Sequence, residues 1–481
     1  MGELASRLAG HATATALLEG GNRVTYGELS ERVLRTAAGL RARGLGAGVR
    51  IAVIANSCSD GVVAYLGVQA AGMVPVMLGM QSPLAEHERR FGEIEPALVM
   101  VASDRECEVP AGHAIVRPAL SPASDYPTVD SDPSGVAAVA LDDPAVVLYT
   151  SGVSGLPKPV VLTYGNLAAT RDGLVHAPGA GLDASTVAYA GLPIAHVFGL
   201  NSIVGTVLSV GGKLVLNNGF DPHEVAELIA RHRVTAVSAV PLMWKGLAAA
   251  GDRELMSTVT RATYSAAPMP PAIRDAVEHM LGLRIAGGFG LTETAGTICH
   301  DDPTDPHPGT VGRPLGDTQI RVVDDGDDAL LGDTGEIWVR GSSVAKEYLD
   351  GTRLDRARGG WFRTGDVGMF DDEGRLDIVD RKKDVINVNG FNVSPAEVEL
   401  ALDLHPGVST SVVVGEVEDD REVVVAHVVP QPGTTPTEAE LVAHCRKQLS
   451  RHKVPKHVFL HRELPVTESG KAVRRLISGS A

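Results

Sequence analysis

LYTSGVSGLPK, residues 148–158, joins two apolar residues to a run of hydroxyls and glycines and closes on a lysine, after which Pro159 and the apolar run Val160–Leu162 follow. Glycine lets a backbone approach a polyphosphate closely. The hydroxyls of Thr150, Ser151 and Ser154 offer donors to its oxygens, and Lys158 adds a point charge. The stretch is not a Walker A loop, which carries GxxxxGK followed by Ser or Thr and leads into a helix. Here the lysine precedes a proline and a segment that reads as a strand. Two readings follow from the residues: a flap folded over a nucleotide, or an ordinary Gly/Ser hairpin turn.

The rest of the chain limits the possibilities. With 481 residues, 44% of them hydrophobic and 21% charged, it can bury a large core and divide into two or more domains. A formal charge of −16 and no basic stripe speak against a nucleic-acid surface, so an anionic ligand must be met by local donors. Cys58, Cys107, Cys299 and Cys445 are far apart and form no CxxC pair, which fits reduced thiols rather than a disulfide frame or a zinc site. No stretch approaches the ~18 apolar residues of a membrane span, and no basic segment followed by an apolar one opens the chain. Gly2 matches a loose myristoylation pattern, too short to carry weight. The expected location is cytoplasmic.

Elements alternate as in α/β proteins. Helical spacing covers Thr25–Arg43 and Gly61–Ala71, and strands are expected at Arg50–Ile54 and Val74–Met80. A Pro, Ser and Asp-rich connector runs from Ala119 to Pro144 into the glycine-rich loop. Helix Pro222–Arg233 leads to strand Ala236–Val240, and helix Pro271–Leu281 to strand Leu283–Ala286. Short strands between acidic turns begin near Asp317. The spacing then predicts helix Pro395–Leu404, strands Val408–Val414 and Glu422–Val429, and helix Thr437–Ser450. The expected fold class is α/β: a large N-terminal domain of stacked βα sheets with a small β-rich subdomain over 1–380, and a mobile α+β C-terminal domain over 381–481.

Four further segments carry chemistry. GFGLTETAG, 288–296, offers the Thr292 hydroxyl to a phosphate and the Glu293 carboxylate to Mg2+. WFRTGD, 361–366, ends in Asp366, whose two oxygens suit the vicinal hydroxyls of a ribose. Arg381 has a planar guanidinium that reaches a sugar or a phosphate. TESGK, 467–471, places Lys471 on a glycine-containing turn. Taken singly, Asp366 also reads as a turn residue, Glu293 as a cap partner and Lys471 as a solvated charge.

In this order the segments resemble the adenylate-forming superfamily of acyl- and aryl-CoA synthetases, luciferases and peptide-synthetase adenylation domains, over nearly the whole chain. YTSGVSGLPK is similar to the family's phosphate loop, PIAHVFGL (193–200) to its acyl-pocket motif, and YSAAP (264–268) with GFGLTE to its adenine wall. GEIWVRG (335–341), WFRTGD, DRKKDVINVNGFNVSPAEVE (380–399) and PVTESGK (465–471) resemble its remaining core motifs.

The resemblance implies ATP-dependent activation of a carboxylate to an acyl-adenylate, followed by thioester formation with CoA or a carrier protein's phosphopantetheine. It implies that Thr150, Ser151, Gly152, Val153, Ser154 and Lys158 line the β- and γ-phosphates, and that Ala266, Ala267, Gly288, Phe289 and Gly290 flank the nucleotide. Thr292 would meet the α-phosphate, Glu293 would ligate Mg2+, and Asp366 would hold the ribose with Arg381 assisting. Lys471 would bridge the acyl carboxylate and α-phosphate, and the C-terminal domain would swing near Lys383 between half-reactions. The acyl pocket would comprise His196, Val197, Phe198, Ser202, Tyr264, Ala266, Gly287, Gly288 and Thr297. That wall lacks an acidic partner for an α-amino group, which favours an aryl or aliphatic acid over an amino acid.

The chain departs from the family pattern at Val153, Pro159, Ala266 and Ala267. It also has Asn387, Asn389 and Asn218 where coumarate ligases carry lysines toward CoA. Carrier-protein loading, a non-thiol acceptor, an unusual oxyacid and a non-catalytic nucleotide-binding protein remain the alternatives.

Overall fold

The computed structural model describes residues 12–102, 107–116, 118, 136–150, 157–324, 326–381, 384, 386–388, 391–418, 421–465 and 477. A nine-stranded sheet and a six-stranded sheet form the body. The interior of each is parallel. In the larger sheet Lys213–Leu216, Val187–Ala190, Ala236–Ala239, Arg261–Tyr264 and Ala286–Leu291 lie side by side, and their carboxyl ends point to one face. In the smaller, Leu98–Ala102, Arg50–Ala55 and Val74–Gly79 run parallel, and the antiparallel pair Pro144–Tyr149 and Pro159–Thr163 closes one edge.

Local sequence explains the helices that cover these sheets. Thr25 and Glu28 form a reciprocal capping box, with Glu28 N–H donating to Thr25 Oγ1 at 3.2 Å and Thr25 N–H to Glu28 Oε2 at 2.7 Å, and this starts helix Tyr26–Ala42. Helix Ser59–Ala70 is buried along its whole length except at Asp60, as expected where apolar residues surround a helix on every side. Gly67 permits its close packing: a Cβ there would come 2.6 Å from Thr36 Cγ2 of the neighbouring helix. One continuous apolar core, from Leu17 through Trp244 to Leu376, fills the space between these layers.

The small subdomain is a five-stranded antiparallel sheet in which Gln319–Asp324, Gly335–Arg340, Phe362–Phe370 and Leu376–Arg381 are successive neighbours. Beyond it, Val408–Glu418, Arg421–Pro430 and His457–Leu460 make a three-stranded sheet. Helices Pro395–Asp403 and Glu438–Gln448 lie on it. Their core, including Ile386, Val398, Leu402, Val413, Ala426, Leu441 and Val458, shares no residue with the main one.

One expected strand is displaced. Leu283–Ala286 is not a strand; the strand begins at Ala286 and runs to Leu291, through the glycine-rich motif itself. Pairing decides this. Ala286 and Gly287 pair with Thr263 and Tyr264 in parallel, and Gly288–Leu291 then pair antiparallel with Gly296–His300. At Gly290 a Cβ would sit 2.0 Å from Gly296 O, so that strand pair closes only on glycine. The last residue of the expected connector, Pro144, opens a strand, while residues 119–135 lie outside the described set.

Asp403, at the end of helix Pro395–Asp403, accepts from Ser411 Oγ at 2.8 Å, and burial pushes its carboxyl up to about 7, with the Glu399 charge adding to the effect. The unfolded chain releases this proton near an ordinary carboxylate pKa while the folded chain keeps it, so the native state binds more protons between about pH 4 and pH 7 and stability falls as pH rises through that window. Asp403→Asn is expected to remove this slope: thermal melts at pH 5 should match wild type, and at pH 8 the variant should melt higher.

Candidate active site

The two ends of the glycine-rich loop are pinned to each other. Strands Pro144–Tyr149 and Pro159–Thr163 pair up to Tyr149 opposite Pro159. Past this point Thr150 N–H donates to Lys158 O at 3.0 Å, and Lys158 N–H donates to Thr150 Oγ1 at 3.0 Å. Thr150 therefore fixes the mouth of the loop with its oxygen and keeps its hydroxyl proton to donate. The expected phosphate contacts of Ser151, Gly152, Val153 and Ser154 lie outside the described residues, as do Lys383 and Lys471 and the side chains of Arg381 and Asn387.

A second strap joins the loop exit to the GFGLTE motif. Leu349 N–H donates to Pro159 O at 2.8 Å, and Ala345 N–H to Glu293 O at 2.8 Å. Between them Tyr348 does two things. Its hydroxyl donates to Glu293 Oε1 at 3.2 Å, and its ring lies 4.9 Å from the exposed Lys158 ammonium. Burial and the Glu293 carboxylate both raise the Tyr348 phenol, so it stays a donor. Nothing in the sequence pointed to Tyr348, because its two partners are distant in the chain and meet only through the strap.

Glu293 sits in the turn Thr292–Thr294 that follows the strand Ala286–Leu291. The turn is held from below: Thr294 Oγ1 accepts from Leu291 N–H at 2.9 Å, and Thr170 Oγ1 donates to Thr294 O at 3.2 Å. Thr292 and Glu293 thus leave the sheet together, at the carboxyl end where α/β proteins bind ligands. A single hard carboxylate, linked through Tyr348 to Lys158, suits Mg2+, which takes one or two protein carboxylates and completes its shell with phosphate oxygens and water.

The acyl motif packs against the same turn. Phe198–Gly205 forms a π-helix, a rare geometry often found at functional sites. Asn201 Nδ2 donates to Ala295 O at 2.8 Å and to Leu167 O at 3.2 Å. Ser202 Oγ accepts from Thr297 N–H and from Thr297 Oγ1, each at 3.1 Å. Ser202 and Thr297 therefore touch, Val197 is buried, and His196 and Phe198 are half-buried beside them. His196 is oriented by its backbone: its N–H donates to Pro193 O at 3.1 Å and its carbonyl accepts from Leu200 N–H at 2.9 Å.

Tyr264 and Gly287 are neighbours across a strand pair, and a Cβ on Gly287 would lie 3.0 Å from the Tyr264 hydroxyl and 2.4 Å from Thr310 O. Protein therefore fills that side of Gly287. A Cβ on Gly288 would meet Thr297 Cγ2 at 3.4 Å, an ordinary contact that puts Gly288 against the same threonine. Ala266, between Tyr264 and Ala267, has φ of +75°, a conformation that favours glycine. Phe289 is buried in its strand.

Asp366 lies opposite Arg381 on the neighbouring strand and is only 4% exposed. Its N–H donates to Thr364 Oγ1 at 3.0 Å, and Thr364 in turn donates to Ile337 O at 2.7 Å.

Comparison with known proteins decides the family. The model of the AMP-binding enzyme family matches residues 4–349, and that of the AMP-binding enzyme C-terminal domain matches residues 397–471. The chain belongs to the AMP-binding enzyme family.

Among its relatives, feruloyl-CoA synthase of an Amycolatopsis species is 34% identical over 98% of this chain and 96% of its own length. The 2-succinylbenzoate–CoA ligase of Bacillus licheniformis is 30% identical over 95% of each chain. The crystal structure of ATP-bound MatB from Rhodopseudomonas palustris overlays with a TM-score of 0.88 at 29% identity, covering 99% of this chain and 98% of that one. The apo form of MatB, with the same coverage, gives 0.76. The fold is that of the adenylating enzymes, and this AMP-binding enzyme is an AMP-forming acid–thiol ligase. Among the described residues, no helix is long and apolar enough to cross a membrane.

The strap yields a prediction. Tyr348→Phe keeps the ring beside Lys158 and removes the donor to Glu293. The Mg2+ concentration for half-maximal activity should rise roughly 3- to 10-fold, the scale of losing one ordinary hydrogen bond, with the melting temperature unchanged. A metal titration of both proteins reads it out.

Proposed function

We propose that this AMP-binding enzyme activates an aryl or fatty carboxylic acid to its acyl-adenylate and transfers the acyl group to the thiol of CoA. The observation that supports this most is the convergence, across the strap that joins the two sheets, of a glycine-rich loop pinned at its ends, Thr292 with Glu293, and the clamped acyl motif. In this reading the carboxylate attacks the α-phosphorus of ATP, its oxygen forms the new bond, and pyrophosphate leaves. Lys158 and the hydroxyls of Thr150, Ser151 and Ser154 hold the β- and γ-phosphates, Thr292 orients the α-phosphate, and Asp366 accepts from the ribose hydroxyls. Catalysis is then positioning and charge neutralisation. Mg2+ held by Glu293 supplies countercharge to the phosphates. Lys471 places its ammonium where negative charge gathers between the acid and the α-phosphate. We place the division between the body and the swinging domain at 380/381.

The half-buried Phe198 and the Ser202–Thr297 pair offer an acid an apolar wall with a polar edge, as an aryl acid bearing an oxygen substituent would use. A carrier protein's phosphopantetheine presents the same thiol as CoA and is the alternative acceptor. ATP and CoA as co-substrates suit a cytoplasmic setting.

A panel of benzoates, cinnamates and short- to long-chain fatty acids, followed by pyrophosphate release and AMP formation, tests the reading. At least one acid should give release that becomes multiple-turnover only with CoA. Steady AMP release with no thiol present would overturn the acceptor, and no ATP consumption with any acid would overturn the reaction. Lys471→Ala should lower adenylate formation at least about a hundredfold, the scale for removing a preorganised transition-state contact. A drop of only a few-fold would remove Lys471 from the chemistry. Asp366→Ala should weaken ATP binding by roughly 1–3 kcal/mol, measured by calorimetry, as expected for hydrogen bonds to a charged acceptor.

A further inference from the structure

Among the described residues, the side chains of Asp380 and Lys245 bond the body of the enzyme to the unit built around the three-stranded sheet. The first contact involves Asp380, the next-to-last residue of strand Leu376–Arg381 and 7% exposed. Its Oδ2 accepts from the hydroxyl of Ser394, the N-cap of helix Pro395–Asp403, and from Ala396 N–H at 3.4 Å. A carboxylate there meets the unpaired N–H groups and positive end of the helix.

The second contact comes from a distant part of the body. Helix Pro241–Ala250 follows the central strand Ala236–Ala239, and from it Lys245 extends its ammonium to Ser409 O. Ser409 is a suitable acceptor because the pairing of Val408–Glu418 with Arg421–Pro430 slips between Val408 and Thr410, so Ser409 has no partner in the ladder. A bulge leaves its extra residue out of the ladder, and Lys245 takes up the Ser409 carbonyl. Lys245 also acts electrostatically on Asp403, at the other end of the helix whose start Asp380 caps. Body residues thus reach this unit at two points, separated by the length of one helix.

Ile386, Val388 and Val393 pack into the core of this unit, so the chain passes from body to unit between Asp380 and Ile386, and a rotation there would separate both contacts at once. The chain overlays on ATP-bound MatB with a TM-score of 0.88 and on apo MatB with 0.76 over equal coverage, so its arrangement is nearer the former.

We propose that Lys245 and Asp380 are positioning residues that clasp the C-terminal unit in the orientation used for acyl-adenylate formation, and that the clasp opens before the thioester is made. This rests on the adenylation reading given above. Neither residue touches the reacting atoms; each acts by holding the unit that carries Lys471.

The test separates the two half-reactions. In Lys245→Met the stem remains and the donor is lost. Pyrophosphate exchange with the best acid of the panel should fall about tenfold, the loss of one charge-assisted hydrogen bond, while thioester formation from supplied acyl-adenylate and CoA stays within about twofold. Asp380→Asn should shift the same ratio in the same direction. Equal losses in both half-reactions, or in neither, would mean the contacts are merely structural.

A second measurement does not depend on turnover. Lys245→Cys with Ser409→Cys, in a Cys107→Ser background because the other cysteines are buried, is joined by a short bis-methanethiosulfonate linker in the presence of MgATP. The expected product shows high cross-linking yield on a gel, retained pyrophosphate exchange and lost thioester formation, with reductant restoring the latter. Poor cross-linking, or a linked enzyme that still completes the thioester, would overturn the clasp. If wild type exchanges no pyrophosphate with any acid, the functional reading fails separately, and the gel still decides whether the two residues meet.

Discussion

Everything at the candidate site depends on the strap that runs past Tyr348. The glycine-rich loop belongs to the six-stranded sheet and the carboxylate turn to the nine-stranded one, so nothing within either sheet sets the distance between them. The backbone bonds from Leu349 to Pro159 and from Ala345 to Glu293 set it, and Tyr348 adds a side chain that faces both halves. A polyphosphate with a divalent cation needs a cationic loop and a hard carboxylate at a fixed separation. The strap provides that separation without belonging to either sheet.

The sequence was legible where chemistry is local. The helical stretches beginning at Thr25 and Thr437 are helices in the structure, and Pro159 correctly signalled a return into a strand rather than a helix. The motif order also revealed the family. What could not be read depends on pairing between distant segments. The strand through GFGLT was missed because glycines carry no β signal, and only the close approach of Gly296 to Gly290 makes them obligatory there. Tyr348 was missed for the same kind of reason, as were the clasp residues Lys245 and Asp380, whose partners are determined by tertiary placement.

Two energetic themes recur around the site. Several polar side chains serve backbone groups rather than solvent: Thr150, Thr294, Asn201 and Thr364 each satisfy a carbonyl or N–H that would otherwise be stranded at an irregular turn. Such fixed turns hold ligand groups without further ordering when a substrate arrives. Where the chain accepts a less favourable geometry, as at Ala266, the position lies just past the carboxyl end of strand Arg261–Tyr264.

The π-helix at Phe198–Gly205 makes residue count, as well as residue type, a determinant of what faces the turn after Leu291. Its wider turn is what lets Asn201 face Ala295 while Ser202 faces Thr297. Deleting one residue would restore α-helical winding and lose the wide turn on which Asn201 and Ser202 are displayed. The number of residues in this stretch, and not their identity alone, therefore sets which side chains meet Ala295 and Thr297.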